Sequence, residues 1–325
     1  MRKKYRAVVI GAGKIGAQMD SPKSKFILTH AHAYQKHKQF DLIGFIDKNN
    51  KRSAREAARW GVEIFSDLDE LVDKNIDVVS VAVNDEEHFQ VLKQISRYPI
   101  QLVIAEKPLA TEVKNKQEIQ NIFDGKNQQL IVNYSRRFLF EYQNIRKMIR
   151  LNRLGKFVGG SGYYGKGLLH YGSHLVNLLT WFFDDVQVRV SVGAIEDFSK
   201  SDLTVSAQLL VNKRDFWLMG VDSRRFQAFE LDLWFEKGRI RIVNAGDSIE
   251  IYKTKVGVVS KGYRSLVLWK TVRPRAQNLM YRVVDHAYGV LEQRSRVLCT
   301  AIDAIRSECV CHEILRDYEK NTHLR

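Results

Sequence analysis

The sequence predicts an α/β protein: an N-terminal doubly wound parallel sheet, then an α+β domain built on a large, mostly antiparallel sheet. Three observations carry this. Up to about residue 134, short Val- and Ile-rich runs alternate with helical stretches, as expected of strands buried on both faces with helices between them. The first run opens directly into Gly11-Ala-Gly13-Lys-Ile-Gly16. Beyond residue 135 apolar residues alternate with polar ones, the mark of a sheet with one buried face. The change divides the chain into domains 1–134 and 135–325.

In the first domain, strands are expected at 5–10, 41–46, 62–65, 76–83, 100–105 and 129–134. Helices are expected at 30–38, 50–60, 67–74, 85–97 and 112–124, and Ser66-Asp67-Leu68-Asp69 is an N-cap signature for the helix at 67–74. The second domain opens with a basic helix at 138–153 ending at Gly155, a glycine-rich strand at 157–165 and a helix at 170–183. Strands follow at 186–195, 203–211, 215–222, 226–236, 239–244 and 248–254. In 229–235, Phe, Leu, Leu and Phe take alternate positions around Glu230 and Asp232. Helices at 277–293 and 299–319 finish the chain. No repeat or Pro-rich linker interrupts it, so the domains are expected to be closely joined.

The 325 residues suffice for two domains with their own cores, and 45% hydrophobic with 27% charged residues is a globular composition. The apolar run after Met1-Arg2-Lys3-Lys4 is too short for a signal peptide, and no 18-residue apolar stretch follows. A cytoplasmic protein is expected. Cys299, Cys309 and Cys311 make no disulfide framework, and Cys309 and Cys311 point to different faces of a helix, so buried or half-buried thiols are expected and no metal. The net charge of +15 falls mainly in the second domain. Its densest stretch, 253–275, holds Lys253, Lys255, Lys261, Arg264, Lys270, Arg273 and Arg275 and no acid. Such a stretch suits a solvated surface or a phosphate-bearing small molecule. No nucleic-acid-binding module accompanies it, so no nucleic-acid or membrane partner is expected.

The glycine loop has the form that holds a dinucleotide. Gly11 permits the tight turn, Gly13 lets the backbone approach a pyrophosphate, and Gly16 lets a helix pack closely on the sheet. Ala12, Lys14 and Ile15 complete this loop. Asp47, at the end of the second strand, suits the ribose hydroxyls and favours NAD. It lies 31 residues after Gly16 because Met19–Thr29 reads as an inserted loop. Lys48, Lys51 and Arg52 follow at once, and NADP remains compatible.

Ligands of such sheets lie beyond the carboxyl ends of the strands. Asn84 and Glu106-Lys107-Pro108 fall there. A dehydrogenase must take the hydroxyl proton as hydride departs, and Lys107 can do so. A lysine that merely pairs with an acid is the plainer alternative. A second cluster is His170-Tyr-Gly-Ser-His174-Leu-Val-Asn177, whose offsets put His170, His174 and Asn177 on one helix face. Two histidines four apart could bind zinc, but Tyr171 stands where a metalloprotease has Glu and no third ligand is evident.

The order of these motifs, with Val81-Ala-Val-Asn84 and His88 and with Val132-Asn-Tyr-Ser-Arg-Arg-Phe138, resembles the Gfo/Idh/MocA oxidoreductases, the family of glucose–fructose oxidoreductase and inositol dehydrogenase. The resemblance runs in order along the whole chain. It implies an N-terminal Rossmann domain, a C-terminal domain on a large sheet, and homo-oligomers, dimer or tetramer, through that sheet. It implies Lys107 and His174 as the catalytic pair, and Val83, Asn84, His88, Glu106, Lys107 and Asn133 beside the cofactor; His170 is expected to position the substrate or relay the proton. Where the family often has Asp four residues before the histidine and three after, this chain has His170 and Asn177. His30 and Tyr34, in Thr29-His-Ala-His-Ala-Tyr34, resemble members related to surface-polysaccharide sugar metabolism.

The expectation is an NAD(P)-dependent dehydrogenase or reductase acting on a secondary alcohol or ketone of a sugar, polyol or nucleotide-linked sugar, without metal. Arg137, Tyr163, Lys166 and Asn177 are the expected substrate contacts. The alternative is a non-catalytic NAD(P)-binding sensor or scaffold.

Overall fold

The computed structural model describes residues 4–124, 127–257 and 262–323. Met1–Lys3, and Lys261 of the basic stretch, lie outside the described residues. The chain forms two compact units: residues 1–138 with 276–305, and residues 139–275 with 306–325.

The first unit is a parallel sheet with helices between its strands. Its elements are β1 (Tyr5–Ile10), α1 (His30–Lys36), β2 (Phe40–Ile46), α2 (Asn50–Trp60), β3 (Glu63–Phe65), β4 (Val78–Val81), α3 (His88–Ile95), β5 (Leu102–Ala105), α4 (Val113–Asp124) and β6 (Gln129–Val132). The strand order is β3-β2-β1-β4-β5-β6, and every adjacent pair is parallel. Residues 7–10 of β1 and all of β4 and β5 are buried, which is why these strands read as unbroken apolar runs. Asn49 caps α2 by accepting from Arg52 N, and Gly61 at φ 68° ends it. The helix expected at 67–74 is a 3₁₀ turn, Asp69–Lys74.

The second unit begins with α5 (Phe140–Arg150), β7 (Phe157–Tyr164) and α6 (Ser173–Phe182). Then come β8 (Val186–Ser199), β9 (Asp202–Val211), β10 (Arg214–Gly220), β11 (Phe229–Phe235), β12 (Gly238–Val243), β13 (Ser248–Val256) and β14 (Arg264–Val272). The sheet order is β14-β13-β12-β11-β7-β10-β9-β8, antiparallel except for β7 with β10. Alternation holds: Phe229, Leu231, Leu233 and Phe235 are buried, and Glu230 and Asp232 are not. Gly162 belongs to the same inner face, where an added Cβ would meet Leu175 of α6 at 3.0 Å. The opposite face carries Trp217, Met219 and Trp234, each at least 40% exposed.

Two features differ from expectation. β14 is a strand inside the basic stretch; almost all of it is exposed, so it shows no alternation of burial. Residues 276–305 join the first unit rather than the second. There α7 (Leu279–Leu291) packs on α1, and Val132 N donates to Cys299 O. The last helix, α8 (Ala301–His323), begins in the first unit and runs on into the second. Cys299, just before α8, and Cys311 are buried and Cys309 is half-buried, as expected of these thiols.

Candidate active site

The glycine loop has the shape a dinucleotide needs. Gly11 sits at φ +95°, where a Cβ would lie 2.3 Å from Ala82 O; a Cβ on Gly16 would lie 1.9 Å from Gly11 O. At Gly13 an added Cβ would meet nothing within 4 Å, so the backbone there stands open to an approaching group. The expected helix after the loop is a single π-turn, Lys14–Gln18, before the inserted loop. Lys14 is exposed and Ile15 half-buried. Ala12 N donates to Asp47 Oδ2 at 2.8 Å, fixing the acid against the loop.

Asp47 is not alone. Arg52 grips it through Nε to Oδ2 at 2.8 Å and Nη2 to Oδ1 at 2.7 Å. Burial alone would raise the Asp47 carboxyl, but Arg52 and the amides of Asn49 and Ala12 outweigh it and hold the group below the usual range. Lys48 pairs with Glu87 at 2.5 Å.

At the carboxyl ends of β4 and β5 the structure gathers Asn84, Asp85, Glu106 and Lys107. Glu106 Oε1 accepts from His30 Nε2 at 2.9 Å and from Asn133 Nδ2 at 2.6 Å. Burial would raise Glu106, but the bond and charge of His30, the Asn133 amide and the Lys107 charge hold it low, as a carboxylate. Asp85 is raised by burial, with Lys107 and His88 pulling the other way. Lys107 therefore sits in the field of two acids. His88, expected at the cofactor, is fully buried instead: Nδ1 lies 2.6 Å from Pro108 O and Nε2 3.2 Å from Val83 O. It ties the loops after β4 and β5 together and acts on the site through them.

In the second unit the histidine cluster is less regular than expected. Leu168–Gly172 is a π-turn, and the α-helix starts only at Ser173. His170 is exposed and stacks on Phe198, centroids 4.4 Å apart, while half-buried His174 stands edge-on to Tyr171 at 6.0 Å. Asn177 is 1% exposed and donates to Ser307 Oγ at 2.9 Å. It belongs to the packing within this unit, so the expected shared polar face does not form and Asn177 leaves the substrate set. Lys166, at φ +65°, donates its N–H to Asp197 and lines a cavity of about 330 Å³ with Tyr171, Phe198, Ser223, Arg224 and Gln227. Tyr163 pairs in register with Met219 and Glu230 and lies on the open face of the sheet, opposite α6. The two-residue period of the strand thus turns it away from the face on which α6 packs. Arg137, like Asn177, leaves the substrate set: the side chain is 1% exposed and is spent on Asp303 at 3.1 Å and Leu298 O at 3.2 Å.

Residues 5–134 match the model of an oxidoreductase family with an NAD-binding Rossmann fold. The first domain is a Gfo/Idh/MocA domain. No curated protein sequence matches the chain significantly. Solved structures share the fold along its whole length. One from Desulfitobacterium hafniense DCB-2, a proposed NADPH-dependent oxidoreductase, is 13% identical with TM-score 0.78, over 99% of this chain and 97% of that one. The UDP-N-acetylglucosamine 3-dehydrogenase GnnA from Acidithiobacillus ferrooxidans is 17% identical with TM-score 0.75, over 96% and 97%. A variant of KijD10, a 3-ketoreductase from Actinomadura kijaniata solved with TDP-benzene and NADP, is 13% identical with TM-score 0.72, over 97% and 98%.

Within the Gfo/Idh/MocA domain, sequence reasoning overlooked two partners. Asp85 lies one residue past Asn84, at the start of the stretch expected as a helix over 85–97. The His30–Glu106 pair joins residues 76 apart, and no local signal announces such a bond. Among the described residues no group of three or more His, Cys, Asp or Glu is arranged to hold a metal.

Proposed function

We propose that the protein moves a hydride between NAD(P) and a secondary alcohol or ketone of a sugar, with a nucleotide-linked sugar as the favoured substrate class. The observation that carries this is Lys107, at the carboxyl end of β5 on the same sheet edge as the open Gly11–Gly16 loop. The loop residues fit a dinucleotide diphosphate, and Asp47 with Arg52 reaches the adenosine ribose. When bound, the nicotinamide supplies the hydride acceptor or donor.

The chain's own residues handle the proton. In oxidation Lys107 takes the proton of the substrate hydroxyl; in reduction it returns one to the carbonyl oxygen. His174 shares that task, and exposed His170 with Lys166 contacts the substrate beside Phe198. The name of GnnA, a UDP-N-acetylglucosamine 3-dehydrogenase, and the nucleotide-linked TDP-benzene bound to the 3-ketoreductase KijD10 support the substrate class. The protein works in the cytoplasm as a homo-oligomer joined through the open face of the second sheet. Among the described residues no helix is long and apolar enough to cross a membrane.

The test is a panel of nucleotide-linked and free sugars, with each cofactor in both redox states, followed at 340 nm. Turnover of at least one nucleotide-linked sugar is expected. A flat trace throughout, with cofactor still bound, would instead favour the sensor or scaffold reading.

A further inference from the structure

The loop between the glycine turn and α1 is tied down by a buried carboxylate. Asp20, 5% exposed, accepts from Leu28 N at 2.6 Å, Thr29 N at 3.2 Å and Thr29 Oγ1 at 2.5 Å. Its Oδ2 also accepts from His32 Nδ1 at 2.8 Å. Thr29 in turn caps α1 by accepting from His32 N. On the short helix that follows, His30 and Tyr34 are four apart and share a face. Tyr34 Oη pairs with Ser80 Oγ of β4 at 2.8 Å, and His30 Nε2 reaches Glu106, the residue before Lys107. The insertion thus delivers a fully buried imidazole to the acid next to Lys107.

Stability does not explain this network. His30 Nδ1 and Asn133 Oδ1 are buried with no hydrogen-bond partner among the described residues. Half-satisfied buried polar groups are poorer stabilisers than an apolar core of the same shape. What the network does achieve is a fixed carboxylate: Glu106 Oε1 is held from two sides, by His30 and Asn133.

We propose that His30 is a positioning residue for Lys107: by locking the Glu106 carboxylate in place, it fixes the negative charge beside the lysine ammonium. The inference rests on Lys107 being the proton-handling group. An opposite charge favours the charged form of its neighbour, so loosening Glu106 weakens the hold on the Lys107 ammonium. Asp85 is the other acid facing Lys107 and, with His88 beside it, is untouched by the change.

The experiment is an NMR titration of the full chain labelled with 13C at lysine Cε, the Lys107 signal being assigned by its loss in Lys107→Arg. The expected midpoint falls by about 0.5–1 pH unit in His30→Ala, a three- to tenfold loss of proton affinity. His30→Gln, whose amide can still donate to Glu106, restores it. Should His30→Ala fail to fold, Glu106→Gln, which removes the charge in nearly the same shape, carries the test and lowers the midpoint at least as far. A midpoint within about 0.2 units of the parent in His30→Ala, or in Glu106→Gln, overturns the inference. The titration needs no substrate, so it stands apart from the sugar panel. If the panel shows turnover that Lys107→Ala retains, it is the role of Lys107 that fails.

Discussion

Arg52 decides how Asp47 behaves. A bare Asp47 would accept the ribose hydroxyls and repel a 2′-phosphate. Clamped by a bidentate guanidinium, it presents a nearly neutral pair, with Arg52 still one-third exposed. Dissociation constants for NADH and NADPH are therefore expected to lie within about tenfold of each other, one charge-assisted bond being worth about that factor. Arg52→Ala is expected to shift the ratio about tenfold toward NADH. An unchanged ratio on fluorescence titration would take Arg52 out of cofactor selection. The glycine loop and Asp47 were visible in the sequence because their geometry is local: Gly11 sits at φ +95°, Gly16 has no room for a Cβ, and Asp47 accepts from Ala12 N. Arg137 and Asn177 were misread because Asp303 and Ser307, which occupy them, arrive from the far end of the chain.

Among the elements, α7 brings a pH-sensitive contact to the first unit. His286 Nε2 accepts from Leu298 N at 3.2 Å, which requires a neutral ring, and Phe138 packs on it at 5.2 Å. Burial pushes His286 from 6.5 down to about 4. The unfolded chain therefore binds a proton between pH 6.5 and 4 that the folded chain refuses. Stability falls as pH drops through that window and is fully present above it. The loss is expected to reach roughly 3 kcal/mol by pH 4. Melting temperatures across pH 4–7 should fall less steeply for His286→Gln, whose amide oxygen can still accept from Leu298 N. Parallel curves for the two proteins would remove His286 from the acid response. None of this was legible in the sequence, where 277–293 is one more amphipathic helix. β14 was hidden for the opposite reason: exposed on both faces, it has no burial period to betray it.

At the scale of the whole molecule, the sequence told of two sheets because each leaves its own period, unbroken runs in one and alternation in the other. It did not tell that 276–305 returns to the first sheet, because that depends on packing between distant segments. The open face of the second sheet exposes Trp217, Met219 and Trp234, and it is the face proposed to join copies of the chain. Light scattering at micromolar concentration is expected to give twice or four times 37.7 kDa. Trp217→Glu should reduce it to the monomer mass, and a monomeric parent protein would contradict the assembly. A dinucleotide loop and Lys107 meet on one sheet edge, and Lys107→Ala separates the two, with turnover of the best sugar substrate and cofactor affinity measured on the same preparation. The expected result is a fall in kcat of about 10²–10⁴ with the reduced-cofactor Kd unchanged; turnover within about a factor of two of the parent would remove Lys107 from the chemistry.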